Sequence, residues 1–275
     1  MNDKAYTKSF ASIYDEVMDN VPYDYWYRYL IDLLDYFNKK PEKVIDLACG
    51  TGNMTFRFAE EKNWDLYGVD ISNEMLEIAK DKALKKNSDI KFFQKDLRNF
   101  SPDLKFDLAF SLFDSLNYIL EYKDLKKIFK NTYNFLKSDG IFIFDMNTIK
   151  RLMSIEPGTM LLKGDDYSCF WEDIIDKENK IWKVKLKIYF GDNRVDFYKE
   201  IHKETSYPIR DIIAALKWAG FTEVEVFSAY TFNRGKEKDN RVYFVASKGL
   251  LKKNKKFINK LEKKFKWKII KTFIL

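Results

Sequence analysis

The stretch Val44-Ile45-Asp46-Leu47-Ala48-Cys49-Gly50-Thr51-Gly52 constrains this chain more than any other. An apolar run ends at a carboxylate, a Gly-x-Gly turn follows, and a segment of helical character, Asn53 to Glu61, begins at once. Glycine lets the backbone turn left-handed and come close to a ligand. Open α/β sheets bind their ligands at the carboxyl ends of strands. Strand, glycine turn and helix in this order therefore predict a small nucleotide-like ligand beside Asp46 and Gly52.

Two ligand classes compete. In the dinucleotide fingerprint G-x-G-x-x-G the third glycine lets the helix pack closely while its N-terminus faces a pyrophosphate. Thr55 occupies that third position here, and Asp46 would repel a pyrophosphate. A carboxylate suits an ammonium, and S-adenosylmethionine carries an α-ammonium and a sulfonium but no phosphate. The block resembles motif I of the class I S-adenosylmethionine-dependent methyltransferases. That resemblance implies that Asp46, Ala48, Gly50 and Gly52 hold the methionine end of the cofactor.

The surrounding pattern alternates strands with helices. Tyr23 to Phe37 is an aromatic amphipathic helix, with Trp26, Tyr29, Leu30, Leu33, Leu34 and Phe37 recurring at three and four. Strands are expected at Lys43 to Leu47, Asp65 to Val69, Ile90 to Gln94, Phe106 to Phe110 and Ile141 to Phe144. Helices are expected from Ser72, a natural N-cap, to about Lys85 and from Tyr122 to Leu136, with a turn at Ser138-Asp139-Gly140. This rhythm implies a parallel sheet covered on both faces. Beyond Ile149 the period changes to two. Tyr167 to Asp176, Lys180 to Phe190 and Arg194 to Thr205 form an expected antiparallel sheet, with Trp182, Val184, Leu186, Ile188 and Phe190 on one face. A helix from Pro208 to Ala219 ends at Gly220, and strands at Thr222 to Tyr230 and Arg241 to Ala246 close the pattern.

The expected fold is α/β, a Rossmann-like seven-stranded methyltransferase sheet with an inserted antiparallel β lobe. The organisation runs as an N-terminal helical cap (1–42), a cofactor-binding core (43–148), the inserted β lid (149–206), the remainder of the sheet (207–249) and a lysine-rich tail (250–275).

Asp70 closes the second strand eighteen residues after Gly52, where an acid accepts hydrogen bonds from ribose hydroxyls. The resemblance continues through Val69-Asp70-Ile71-Ser72 to Met75 and implies that Ile71 and Met75 sandwich the adenine. For Met75 an ordinary core role is equally open. Asp96 and Leu97 follow the third strand, where the family's acid and backbone amide read the adenine. Ser111 to Tyr118 follow the fourth strand, the place of residues beside the transferring methyl, and bring in Ser111 and Asn117. That segment lacks the Asp/Asn-Pro-Pro-aromatic motif that grips flipped bases and the Pro-Cys pair of cytosine enzymes. It resembles a bacterial small-molecule branch near the glycine and amino-sugar N-methyltransferases, a likeness covering most of residues 6 to 247. Phe10-Ala11-Ser12-Ile13-Tyr14-Asp15, Val21-Pro22-Tyr23 and Trp26 share in it, which implies an N-terminal segment folded over the cofactor. Electron-rich rings attract a sulfonium, so Tyr14 is chemically apt as a cofactor-binding and catalytic residue. Trp26 has two open roles, cofactor contact and helix packing. His202, the only histidine, stands at the end of the lid and is the candidate general base, although a purely structural role is open to it.

The net charge is poor evidence for a nucleic-acid partner. Residues 248 to 275 hold eleven lysines against one acid, Glu262, a net of +10; subtracted from the overall +7, this leaves the body at −3. Lysines outnumber arginines 41 to 8, while base readout favours arginine forks. Leu250, Phe257, Ile258, Leu261, Phe265 and Ile269 give the tail a helical apolar stripe, read here as packing on the body or as a solvated appendage. No run of about 18 apolar residues occurs, so no membrane span is expected. Only Cys49 and Cys169 occur, without zinc-like spacing, so no metal is expected and a reducing cytoplasm fits. The expected activity is methyl transfer from S-adenosylmethionine, leaving S-adenosylhomocysteine, to a nitrogen or oxygen nucleophile of a small molecule. The alternatives are RNA or tRNA methylation using the basic tail, and a non-catalytic S-adenosylmethionine-binding protein. Neither the acceptor nor the oligomeric state is encoded in a local motif.

Overall fold

The computed structural model describes residues 5–191 and 197–258. Two helices, α1 (Lys8–Val17) and α2 (Tyr23–Tyr36), precede the first strand. The core then runs β1 (Lys43–Leu47), α3 (Asn53–Ala59), β2 (Asp65–Asp70), α4 (Asn73–Lys85), β3 (Lys91–Gln94), β4 (Phe106–Ser111), α5 (Tyr122–Phe135) and β5 (Leu136–Asn147). Short α6 (Ile149–Met153) leads into β6 (Gly158–Lys163), β7 (Tyr167–Asp176), β8 (Ile181–Phe190) and β9 (Phe197–Thr205). Helix α7 (Ile209–Ala219), β10 (Glu223–Ser228) and β11 (Arg241–Ser247) follow.

The seven-stranded sheet has the order β3-β2-β1-β4-β5-β11-β10. Its first five strands are parallel, and β11 runs antiparallel between β5 and β10. The strand order reverses between β1 and β4, which opens the crevice where such sheets bind ligands. Both faces are buried because successive side chains point to opposite sides. On one face Val44, Leu108, Ile143 and Val245 meet Leu30, Leu33 and Leu34 of α2 and Phe58 of α3. On the other, Ile45, Phe142 and Phe244 meet Leu125, Ile128 and Phe129 of α5 and Leu216 of α7.

The second sheet is antiparallel, in the order β6-β7-β8-β9. Along β8, Val184, Leu186 and Ile188 are buried while Lys185 and Lys187 are exposed. Phe190, expected on the inner face, lies at the open end of the strand and is 37% exposed. Strand β6 escaped the sequence pattern because it is an edge strand, with five of its six residues exposed and no alternation to read. The turn expected at Ser138 to Gly140 lies within β5 instead. There the register jumps from Phe106↔Leu136 to Leu108↔Ile141, so the intervening residues bulge out of the ladder. The part of the last expected lid strand before Phe197, Arg194 included, lies outside the described residues, as do residues 259–275 of the tail.

The inserted sheet does not rest directly on the nucleotide crevice. Its inner face packs on Phe10, Ile13 and Tyr14 of α1, with Met75 of α4 in the same cluster. Helix α1 is thus the middle layer, and its N-terminus is held from the lid side. The buried Glu200 carboxylate of β9 accepts from the backbone N–H groups of Tyr6 and Thr7, each at 2.9 Å, and from the Thr7 hydroxyl. An anion at a helix N-terminus satisfies orphan donors and opposes the positive end of the helix dipole. The first tail residues dock as well: the Asn254 backbone N–H donates to the Tyr36 carbonyl at the end of α2 (2.7 Å), and Phe257 packs against the α2 cluster.

Candidate active site

The glycine turn is left-handed at Ala48, Gly50 and Gly52, with φ of 60°, 55° and 81°. At Gly52 a Cβ would come within 2.9 Å of the Phe56 ring, so the start of α3 depends on that glycine twice over. Two carboxylates fix the turn. Asp46 accepts from the Thr55 hydroxyl at 2.6 Å. Asp70 accepts from the backbone N–H of Gly50 at 2.8 Å and of Ser72 at 2.9 Å, tying the β1 turn to the β2 turn. Burial pushes the Asp46 carboxyl up to about 8; the Thr55 hydrogen bond opposes the rise and the Asp70 charge adds to it. Asp70 is also raised by burial, against the pull of its backbone donors.

Asp46, Ala48, Gly50, Asp70 and Ser72 border a cavity of about 660 Å³. Of the residues expected at the cofactor, Tyr14, Asp46, Ala48, Gly50, Asp70, Ile71, Met75, Asp96 and Leu97 line it. Ile71 is 61% exposed at the rim, where its side chain is open to a ligand in the cavity. Met75 is buried, with its Cε 3.4 Å from where a Cβ on Gly50 would stand. Asp96 accepts from the Arg98 backbone N–H at 2.9 Å and pairs with its guanidinium at 2.5 Å, which holds the carboxyl below its usual range.

Five expected site residues lie elsewhere. Gly52 is behind the turn, where its carbonyl accepts from the Phe56 N–H at 2.8 Å. Trp26 is buried against the Phe113 ring, centroids 4.9 Å apart, and props that residue from behind. Ser111 is buried without a hydrogen-bond partner for its hydroxyl. Asn117 is fully buried and joins distant backbone: its amide donates to the carbonyls of Asn147 (3.1 Å) and Thr205 (2.7 Å) and accepts from the Asn147 N–H (3.0 Å). Its functional groups are consumed in stitching β5 to β9, which corrects the expectation of a group free to act on substrate. His202 borders a second, smaller cavity. Its Nδ1 is 3.1 Å from the Tyr118 hydroxyl and its Nε2 is 3.2 Å from a Glu200 oxygen, so both ring nitrogens are engaged.

Several residues in or behind the cavity wall lie outside the expected site. Asp15 of α1 accepts from the Thr51 hydroxyl (2.7 Å) and the Asn53 amide (3.0 Å) and pairs with Lys82 (2.6 Å), clamping the helix over the glycine turn. The Tyr6 hydroxyl donates to the Tyr118 hydroxyl at 2.9 Å, which extends the His202–Glu200 chain to the cavity wall. Gly68 in β2 lets Cys49 and Phe92 close in; a Cβ there would meet Cys49 Sγ at 2.8 Å and Phe92 at 2.7 Å. None of these stands at a spacing that names its partner.

The second cavity, about 210 Å³, lies between the inserted sheet, α1 and the ends of β4, β5 and β11. Tyr6, Phe113 and Tyr118 border both cavities. Arg241 of β11 pairs there with Asp114 at 3.0 Å and with Asp145. Asn147 donates to the other Asp114 oxygen at 2.5 Å. Phe113 and Asp114 are consecutive left-handed residues, φ 66° and 48°, a conformation costing about 1–3 kcal/mol each that the surrounding contacts must sustain.

At the Asp46–Asp70 end the polar groups are two buried acceptor carboxyls, Asp46 taking the Thr55 hydroxyl and Asp70 the Gly50 and Ser72 N–H groups. That end fits a ligand rich in donors, an ammonium and vicinal hydroxyls, and not a phosphate. Comparison with known proteins agrees. A family model described as a methyltransferase domain matches residues 44–140. A relative in Bacillus subtilis (strain 168), named "Putative methyltransferase YqeM", is 32% identical over 247 residues, covering 88% of this chain and 96% of that one. A carboxy-S-adenosyl-L-methionine synthase of Nautilia profundicola is 29% identical over 252 residues, with 82% and 94% covered. The crystal structure of an S-adenosylmethionine-dependent methyltransferase from Clostridium acetobutylicum superposes with a TM-score of 0.74 at 28% identity, covering 86% of this chain and 97% of that one. Glycine turn, carboxylate set, sheet order and relatives converge: the chain belongs to the class I S-adenosylmethionine-dependent methyltransferases and is an enzyme that uses S-adenosylmethionine.

Proposed function

We propose that the enzyme methylates a nitrogen or oxygen nucleophile of a small molecule that enters beneath the inserted sheet. The observation that carries this reading is the pair of adjoining cavities, one walled by the glycine turn and its carboxylates, the other enclosed by lid, α1 and sheet edge. A chamber of about 210 Å³ admits a small molecule or one end of one, not a folded polynucleotide. The bound cofactor supplies a methyl group on a sulfonium, already an excellent leaving group. The chain's own residues bind, orient and exclude water. Asp46 would hold the α-ammonium, Asp70 the ribose hydroxyls, Ile71 and Met75 the adenine faces, and Asp96 with Leu97 the adenine edge. Tyr14 would present its ring to the sulfonium. Keeping water out of an aligned pair of reactants supplies much of the acceleration such a transfer needs. The readings of RNA methylation and of a non-catalytic binding protein are not favoured. Two free cysteines, one buried and one half-buried, support a reducing, cytoplasmic setting. Among the described residues no helix is long and apolar enough to cross a membrane.

Titration calorimetry with S-adenosylmethionine tests the assignment. Wild type is expected to bind, and Asp70→Ala to bind about 100-fold more weakly, since hydrogen bonds to a charged group are worth about 1.5–3 kcal/mol each. No binding by folded wild type, or equal binding by the variant, sinks the cofactor site. A radiolabelled-methyl screen across amines, amino sugars and phenols then identifies the acceptor class.

A further inference from the structure

We propose that the chamber beside Glu204 receives the methyl acceptor as a primary or secondary amine, with the Asp114 and Glu204 carboxyls holding its ammonium and Glu204 taking up its proton. The inference rests on the methyl-transfer reading above and deepens it.

Glu204 stands in β9 two residues beyond His202, is only 5% exposed, and borders the chamber. Its Oε2 is buried without a hydrogen-bond partner. Leaving a buried carboxyl oxygen unsatisfied is costly, and a cationic N–H donor is the group that would satisfy it. The surrounding charges also ask for a cation. Arg241 faces the chamber from β11 but is divided between Asp114, after β4, and Asp145 of β5. That guanidinium is spent on two carboxylates, which leaves little of its charge for Glu204. The other titratable groups facing the chamber are His202 of β9, whose nitrogens are engaged, the Tyr6 and Tyr118 hydroxyls, and Arg151 of α6, which is exposed. The remaining walls are aromatic. Trp171 and Trp182 of the lid turn both indole N–H groups to Asp173, at 3.1 and 2.8 Å, which fixes the two rings in the chamber wall where they can attract an ammonium.

The same environment equips Glu204 for proton transfer. Burial, followed by the nearby Asp114 charge, pushes its carboxyl well above the usual range, against the pull of Arg241. An ordinary glutamate is about six units less basic than an alkylamine and makes a poor base for one; a raised carboxyl narrows that gap. In the step, the ammonium gives one N–H proton to a Glu204 carboxylate oxygen. The freed lone pair on nitrogen forms the new N–C bond while the methyl C–S bond breaks, its electron pair staying on sulfur as a neutral thioether. Glu204 then passes its proton to water. One proton leaves per methyl transferred, and no oxidant or reductant is involved.

The test uses the full chain loaded with S-adenosylhomocysteine, so that no turnover intervenes. Calorimetry would compare benzylamine, benzyl alcohol and benzoate, three probes of one size and different charge. The amine is expected to bind at least about tenfold more tightly than the alcohol, a gap of about 1.4 kcal/mol, with benzoate weakest. Measured in two buffers of different ionisation enthalpy near neutral pH, amine binding is expected to release a proton in wild type and none in Glu204→Gln. Binding of S-adenosylhomocysteine by that variant shows that it has folded; if it has not, the wild-type ranking and proton release decide alone. Benzoate binding most tightly, equal binding of all three, binding of none, or amine binding without proton release overturns the proposal and leaves methyl transfer standing. Failure of wild type to bind S-adenosylhomocysteine overturns both.

Discussion

The two adjoining cavities are built in opposite ways. The polar side of the larger is assembled from short, consecutive pieces at the ends of β1, β2 and β3, each with an acid, while Tyr6, Tyr14, Tyr23 and the segment after β4 complete its wall. The smaller is assembled from α1, the turn after β4, α6, three lid strands and β11, with Tyr6 and Arg241 facing each other across most of the chain. A site of the first kind inherits its geometry from the sheet. One of the second kind exists only when lid, α1 and sheet edge are docked, so its chemistry is hostage to long-range packing.

The sharpest way to break that contrast is to unlatch the docking. Glu200→Ala removes the acceptor for the Tyr6 and Thr7 N–H groups, the Thr7 hydroxyl and His202 Nε2. Several buried donors are then orphaned, and stability in urea is expected to fall by about 3–5 kcal/mol. The residues of α1 should become accessible to protease while the parallel sheet keeps its circular dichroism. If α1 stays protected, the latch lies elsewhere.

Asp46→Asn probes the locally built cavity and should separate binding from stability. Cofactor affinity is expected to drop about 100-fold, because the carboxyl can give up its proton to pair with an ammonium and an amide cannot. Stability of the unliganded protein should move the other way. The folded-state carboxyl titrates near 8, above its unfolded value, so the folded state holds a proton that the unfolded chain has lost. Its contribution is fully present below the unfolded pKa and is lost as pH rises through about 8. Thermal melts should therefore show the variant gaining on wild type between about pH 4 and pH 8. A gap that does not grow with pH would contradict a buried, protonated Asp46.

Asn117→Ala tests the stitch between β5 and β9. A loss of about 1–3 kcal/mol is expected from the backbone groups it leaves unpaired, with cofactor affinity within about twofold of wild type. A selective collapse of kcat at unchanged stability would restore it to the chemistry. The smallest expected effect is Ile71→Ala at the rim, about a threefold weakening of cofactor binding by calorimetry, the worth of partial apolar cover on one face of a ring.

The difference in construction also explains what could be read in advance. The position of Asp46, Gly50, Asp70 and Asp96 at the cavity wall was legible because each stands at or just after a strand end in the order the sheet imposes, and the seven strands announced themselves through period and punctuation. Trp26 takes the packing role that was open to it, and Ser111 and Asn117 lie away from the larger cavity because a polar residue near the right strand end can face either the cavity or the core, and spacing does not say which. Asp15 and Tyr6 were overlooked because their partners, Thr51 and Tyr118, are brought beside them only by the docking of α1. His202 drew attention as the lone histidine, yet Glu204, on the same face of the same strand, holds an unpartnered oxygen at the chamber.

By itself the sequence determined the α/β sheet, the left-handed glycine turn and the acids at three strand ends, because period, turn chemistry and strand-end position are local properties. Tertiary structure alone decided that α1 lies between lid and crevice, that Asn117 is spent on backbone, and that Asp114, Glu204 and Arg241 share a chamber. Those outcomes depend on burial and on partners far apart in the chain, and no local spacing encodes either one.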